Sequence, residues 1–369
     1  MEVRRKRIIR NTALVTAGAL VVLGGSVWLY GMNDRELGRA CGGMLPVDDV
    51  RAVLGDDRLD VESRSGDGID TCEVSASTDG GGSTKVSIVD TTWIGVYSRL
   101  SVSFAGVPAN DMLPVPIGNG WLGLFAADTA PINDGEATTT LLLTCGEGSS
   151  KTSAGKPVKG LAVTVETELD TTLDDPANRP AYIRIATGTA AKAAKAYGCV
   201  THLGQRRVRT VGLPVTEEEF EPLSGASGTC LGIRPTSDVT TAWETARDRA
   251  PLEKCRLGDD GVGNHRYSLV AYFGAYAAQL KAGYKEELRY TSDPTPADAP
   301  KGRLPGDGSY WGSAACPADA ERAVFIVSRT RDTDGQQATE AERKYARTAL
   351  RTFAEHSSEA HGCLAPTTP

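Results

Sequence analysis

The sequence predicts an α+β protein: an N-terminal transmembrane helix, then two tandem homologous domains, each a mainly antiparallel sheet packed by helices and closed by two disulfides. Three observations lead there. Residues 13–32 contain no charged side chain. Eight cysteines fall into two ordered sets of four. Each set frames the same succession of alternating apolar segments and one long helical run, the pattern of a sheet covered by helices. At 369 residues the chain has room for about two ordinary domains. With 40% hydrophobic and 24% charged residues it is not a disordered chain. A net charge of −7 argues against a nucleic-acid partner, because phosphate binding needs a basic surface.

The elements follow in order. Residues 1–12 carry Arg4, Arg5, Lys6, Arg7 and Arg10 against Glu2, and such a basic tail is expected in the cytoplasm. As a helix, residues 13–32 match a bilayer's hydrocarbon core, with Trp28 and Tyr30 near the far lipid–water boundary. A cleaved signal peptide is the alternative. Its apolar run is usually about 7–15 residues and ends at a small-residue site. Here the run is longer, MNDRELGRAC has no A-x-A, and Gly38-Arg39-Ala40 is a poor lipobox before Cys41. Residues 33–40 read as a juxtamembrane linker. The expected location is the cell membrane, single-pass, with the N-terminus cytoplasmic and the bulk outside. The expected membrane contact is through the anchor helix.

Residues 41–202 and 230–369 form two extracytoplasmic repeats. CGGMLPVDDV (41–50) aligns with CLGIRPTSDV (230–239), sharing Cys41/Cys230, Gly43/Gly232, Pro46/Pro235, Asp49/Asp238 and Val50/Val239. Helices are expected to begin near Pro46 and Pro235, since proline suits a first helical turn. Their apolar stripes would be Val50, Val53 and Leu54, and Val239, Ala242, Trp243 and Ala246. Thr236 or Ser237 is the candidate second N-cap. Cys72 and Cys255 each open a strand, a Gly-rich turn and a strand. Leu113-Pro114 with Trp121 and Gly123 is matched by Leu304-Pro305 with Trp311 and Gly312. About nineteen extra residues between Trp121 and Cys145, including Asn133-Asp134-Gly135, suggest an added hairpin or loop. Cys145 and Cys316 precede strands at 160–168 and 322–330. Helical runs at 180–197 and 338–361 end in Gly198-Cys199 and Gly362-Cys363, where glycine suits a positive φ.

Shared order across these landmarks indicates duplication. An even number of cysteines confined to the exported part indicates disulfides. Zinc has little local support without C-x-x-C. The repeat argues that each half closes on itself: Cys41–Cys72, Cys145–Cys199, Cys230–Cys255 and Cys316–Cys363. The connector, residues 203–229, holds Arg206, Arg207 and Arg209, then Glu217, Glu218, Glu219 and Glu221. It reads as a solvated segment; the sharper reading is a strap across an interdomain groove.

No residue is assigned to catalysis, to a cofactor or to a metal, and no cofactor is expected. G-x-S-x-G is absent, and Gly225-Ala226-Ser227-Gly228 lacks its spacing. Gly80 to Lys85 lacks the order of a phosphate loop and joins two strands, as a hairpin turn does. His202, His265, His356 and His361 show no ligand spacing and are expected at the surface. Asp332-Thr333-Asp334-Gly335 resembles part of a calcium loop, but the twelfth position is Ala341, so a turn is expected. Trp121 and Trp311 are expected at equivalent core positions.

The pattern C-x-x-[MI]-x-P-x-x-D-V, the hairpin cysteine, the cysteine-led V-x-V strand and the late fourth cysteine resemble the small exported domains of actinobacterial envelope lipoproteins of unknown function. The resemblance covers most of 41–199 and again 230–363. It departs where the fourth cysteine ends the last helix rather than starting it, and where an apolar span replaces the lipid anchor. It implies an envelope setting and a binding or scaffold role, and brings no catalytic residues. The functional expectation is a non-enzymatic, membrane-anchored envelope protein with an unknown envelope ligand or protein partner, and no nucleic acid. The alternatives are an envelope hydrolase using acidic residues and an accessory subunit of a membrane assembly.

Overall fold

The structure, a computed structural model, describes residues 33–55, 58–66, 68–77, 81–91, 112–127, 135–149, 158–169, 173, 175–205, 208–212, 215–216, 220–246, 250–259, 265–287, 294–305, 307–316, 321–330 and 337–369. Alternating, β-branched segments supply the strands. In the first half these are β1 (Leu59–Gly66), β2 (Ile69–Ala76), β3 (Ser83–Asp90), β4 (Met112–Leu113), β5 (Val115–Pro116), β6 (Gly123–Ala127), β7 (Glu136–Thr144) and β8 (Gly160–Glu168). In the second they are β9 (Val215–Thr216), β10 (Glu221–Pro222), β11 (Thr241–Glu244), β12 (Leu252–Gly258), β13 (His265–Tyr272), β14 (Gly302–Arg303), β15 (Tyr310–Ala314) and β16 (Ala323–Arg329). They form two seven-stranded antiparallel sheets, ordered β1-β2-β3-β8-β7-β6-β5 and β10-β11-β12-β13-β16-β15-β14. β4 and β9 pair with each other.

The main helices are α1 (Val47–Leu54), α2 (Arg179–Ala196), α3 (Gly274–Glu287) and α4 (Glu340–Ala360). Tyr182, Ile183, Ala186, Ala190 and Ala193 of α2 bury against Val86 and Ile88 of β3, Leu141 and Leu143 of β7, and Leu161, Val163 and Val165 of β8. Ala346, Ala349, Leu350 and Phe353 of α4 do the same against Leu257, Leu269, Ala271, Phe325 and Val327. The Thr339 hydroxyl accepts from the Glu342 N–H, and the Glu342 carboxylate accepts from the Thr339 N–H, so a capping box starts α4. Gly198 and Gly362, just past α2 and α4, take φ of 57° and 66°.

The expected first element requires correction. Residues 13–32 lie outside the described residues, and among the described residues no helix is long and apolar enough to cross a membrane. The longest helix among the described residues, α4, has 21 residues but carries charge on nearly every turn, including Glu340, Glu342, Arg343, Arg347, Arg351 and Glu355. The described architecture is two sheets with packed helices, and no helix among the described residues could span a membrane. Residues 33–40, expected as a linker, join the first core: Leu37 and Ala40 are buried there. Asn33 pairs with β1 as a neighbouring strand would, its amide donating to the Leu59 carbonyl and its oxygen accepting from the Leu59 N–H.

All eight cysteines are bonded, as Cys41–Cys72, Cys145–Cys199, Cys230–Cys255 and Cys316–Cys363. Each bond closes within its own half. Cys72 on β2 and Cys255 on β12 both point to the helix-covered side of their sheet. Cys199 and Cys363 follow α2 and α4 and tie each helix end to Cys145 or Cys316, just past β7 or β15.

Other expectations are met differently. A helix begins at Val47 after Pro46, but its counterpart after Pro235 does not form. Thr236 and Val239 make an isolated bridge, and Thr241–Glu244 extends as β11. The run Val239-Thr240-Thr241 is β-branched, and Ala242 and Trp243 then alternate between the two faces, so the strand outcompetes the helix. Thr236 therefore caps no helix; its hydroxyl accepts from the Asp238 N–H in a local turn.

Trp121 and Trp311 are not equivalent. β7, before Cys145, holds the place that β15, before Cys316, holds in the other sheet; Trp311 lies on β15, whereas Trp121 precedes β6, one strand farther out. The extra residues therefore lengthen a hairpin that the second half has in short form as β14–β15. Both indole N–H groups nonetheless donate to backbone carbonyls, of Gln205 and Ala299. Both rings also lie on a glycine. A Cβ at Gly204 or Gly302 would sit 2.4 or 2.0 Å from the ring, so no other residue fits there.

Replacing both Cys230 and Cys255 with alanine is expected to lower stability by about 2–4 kcal/mol in chemical denaturation, through the freed unfolded chain. Non-reducing peptide mapping is expected to recover four bonds, none joining the halves.

Candidate functional site

β8 is apolar on both faces: Leu161, Val163 and Val165 face α2, whereas Ala162 faces away. On that second face Ala162, Val89 of β3, Leu124 of β6 and Leu142 of β7 bury against Leu252 of β12 and Tyr276 of α3. Ile69, Leu122, Val270 and Tyr272 pack around them. The Tyr276 hydroxyl donates to the Thr140 carbonyl at 3.3 Å. Burial pushes the Tyr276 phenol well above its ordinary range, so it stays a neutral donor. The seam between the repeats is thus an apolar joint. Side chains fill the space between the repeats here.

The connector is laced to both halves. Val208 and Val211 enter the first core, the Arg179 guanidinium donates to the Val211 carbonyl, and Leu223 enters the second core. The connector's apolar residues are thus anchored, while its described charged residues Arg209 and Glu221 are exposed, as a solvated run of charge should be. Arg206, Arg207 and Glu217–Glu219 lie outside the described residues.

A cleft of about 530 Å³ opens beside β1, lined by Arg35, Glu36, Arg39, Ala40, Val61 and Ser63. The Ser63 hydroxyl accepts from the Cys41 N–H, which joins the cleft floor to the first disulfide. Nearby, the Tyr197 hydroxyl donates to Asp70 at 2.5 Å. Burial, reinforced by the Asp70 bond, raises the Tyr197 phenol. This pair docks the end of α2 onto β2.

β12 is unusual because its charges are buried. Glu253, Cys255 and Leu257 face α4. Leu252, Lys254 and Arg256 face the other way, the side on which Leu252 meets the seam. Glu253, 1% exposed, pairs with His361 at 2.8 Å, and that imidazole stacks on Phe273 at 3.5 Å. The contact clamps the end of α4 to the sheet beside Cys363. Lys254 and Arg256 are 6% and 7% exposed. Arg256 lies across from Trp243, its guanidinium carbon 4.6 Å from the ring centroid, a cation–π contact. Burial, with Arg256 adjacent, lowers the Lys254 amine from 10.5 to about 7.

The expected histidines disperse. His202 is exposed, His265 and His356 are half-buried, and His361 is engaged by Glu253 rather than lying at the surface. Among the described residues no group of three or more His, Cys, Asp or Glu side chains could hold a metal ion. The Asp332–Gly335 turn lies outside the described residues. The residues that the sequence reading missed are Lys254 and Arg256. In LEKCRLG they alternate with Cys255 and Leu257 and pass for solvent-facing positions of a half-buried strand. Only the cover on both faces of β12 makes them notable.

No protein-family model, no curated protein and no solved structure matches this chain.

Two measurements probe these contacts. Leu252→Ala is expected to cost about 2–5 kcal/mol by opening a void in the seam. For Lys254, the unfolded chain binds the additional proton between about 7 and 10.5, so the cost of its burial is full at and below pH 7 and is shed as pH rises. Lys254→Met is therefore expected to exceed the wild type in stability at neutral pH, by on the order of a few kcal/mol. In denaturant titrations that advantage should shrink steadily towards pH 10.

Proposed function

We propose that this is a non-enzymatic extracytoplasmic protein of the cell envelope, with a binding or scaffolding role exercised through its duplicated, disulfide-bonded unit. The observation that carries the reading is the seam: Ala162 and Leu142 of one repeat and Leu252 and Tyr276 of the other are buried together, so the repeats present themselves as one body. Binding and scaffold proteins gain from such rigidity, because less freedom is lost when a partner docks. Four disulfides with no free cysteine among the described residues favour an oxidising compartment. The likeness of both repeats to exported actinobacterial envelope domains supports the same placement. The cleft by Arg35, Arg39 and Val61 offers both charge and apolar surface to a partner.

The test is protease digestion of intact cells carrying a C-terminal tag, joined to in-cell crosslinking and affinity purification. Loss of the tag without lysis and recovery of a stoichiometric partner are expected. A tag shielded until lysis would overturn the placement, and the absence of any crosslinked partner would overturn the scaffolding role.

A further inference from the structure

The edge strands of the two large sheets are unequal. β5, β10 and β14 have two residues each. β1 has eight, pairs among the described residues with β2 alone, and is exposed from Glu62 to Gly66. Short edges keep a sheet from recruiting further strands, and a long edge is a template for one.

The pairing of β1 decides which backbone groups it offers. In an antiparallel ladder, alternate residues turn both their N–H and their C=O to the same neighbour. The Arg58 carbonyl accepts from the Ser77 N–H, on the β2 side. Both Leu59 backbone groups turn the other way, to the Asn33 amide. The register with β2 then runs to Gly66 without a shift. Val61, Ser63 and Ser65 therefore also turn their backbone groups outward. Asn33 fills the start of the edge, and Val61 to Ser65 lie beyond it.

The charges on this stretch are Glu62 and Arg64, both exposed. Ser63 stands across from Cys72, which faces the helix-covered side, so Glu62 and Arg64 occupy the opposite face. Glu62 sits directly across from Glu73 of β2, a like-charge pair that works against the sheet. Among the described residues Glu62, Arg64 and Glu73 have no ion pair or hydrogen bond from their side chains. An antiparallel copy of β1, set with Ser63 across from Ser63, places each Glu62 across from an Arg64. The strand is then its own complement. Sliding the copy by two residues either way puts Glu62 across from Glu62 or Arg64 across from Arg64. Like charges directly opposite penalise both of those registers.

We propose that β1 is a self-association edge and that its partner is a second copy of this chain. The two β1 strands join antiparallel about a two-fold axis at Ser63, continuing one sheet into the other. Val61 exchanges backbone bonds with Ser65 of the second copy, and Ser63 with its counterpart. Arg64 of the second copy answers Glu62 and its neighbour Glu73. Val61 and Ser63 also line the cleft beside β1, so the inference names a partner for that surface and rests on the binding reading there. It is tested on purified chain, so its failure leaves the envelope placement and the in-cell crosslinking result standing.

The test is sedimentation equilibrium of the full chain and two charge variants. The wild type is expected to dimerise. Glu62→Arg gives the edge two bases and Arg64→Glu two acids. Each variant alone is expected to dimerise at least about tenfold more weakly, because like charges then meet at both crossings. An equimolar mixture of the two is expected to form a mixed dimer within about threefold of the wild-type affinity. A fold defect in either variant would not be repaired by mixing. Ser65→Pro removes one outward N–H at an edge position, where a sheet tolerates proline. It is expected to abolish the dimer while circular dichroism shows the fold retained. A wild type that stays monomeric at its highest soluble concentration would overturn the proposal. So would a dimer indifferent to both charge variants, or single variants that do not pair when mixed.

Discussion

The central strands of both sheets are apolar on two faces, and the remainder of the architecture answers to that constraint. A sheet with one apolar face needs one cover; a sheet with two needs two. Helices α2 and α4 cover one face of each. For the other face the first sheet has the second repeat, through Leu252 and Tyr276. The second sheet has in addition its own helix α3, whose Ala277 packs on Trp311, Val324 and Ile326. Neither repeat could leave the other without exposing Leu124, Leu142 and Ala162 to water. The seam is therefore part of the fold, and it fills the space between the two repeats.

Within this frame the disulfides hold chain segments to the covered faces. Cys72 and Cys255 occupy corresponding strands and bond to Cys41 and Cys230, which lie before α1 and β11. The element that follows is a helix in one repeat and a short strand in the other. The bonds tolerate the difference because each fixes an anchor point and leaves the conformation of the following residues to local preference. In the second repeat polar clamps supplement the bonds. Asp307 accepts from Arg303, Arg343 and the Ala338 N–H, and the Arg343 bond above all holds its carboxyl below the usual range.

Covering both faces also traps charge. A strand that alternates charged and apolar residues is ordinarily half-wet, yet on β12 neither side is. Glu253 meets His361 and is matched. Lys254 lies on the opposite face beside Arg256, and burial with that neighbouring charge lowers its amine.

Much of the fold was legible from local chemistry. Alternation marked β8 and β16, glycine before Cys199 and Cys363 marked the helix ends, and the repeated cysteine order argued for pairing within each half. These signals are local or depend only on order along the chain, so the amino-acid sequence alone determined them. The fate of Val239–Trp243 was not legible, because an apolar helical stripe and a β-branched strand compete within a few residues, and pairing with β12 decided between them. The unlike places of Trp121 and Trp311 were hidden because a Trp-Gly landmark carries no information about which strand of a sheet it enters. Whether residues 33–40 link or pack depended on Leu37 finding a core and Asn33 finding the edge of β1. The burial of Lys254 and Arg256 belongs wholly to the tertiary structure: exposure is a property of what lies across from a side chain, and for β12 that cover comes from residues distant in sequence.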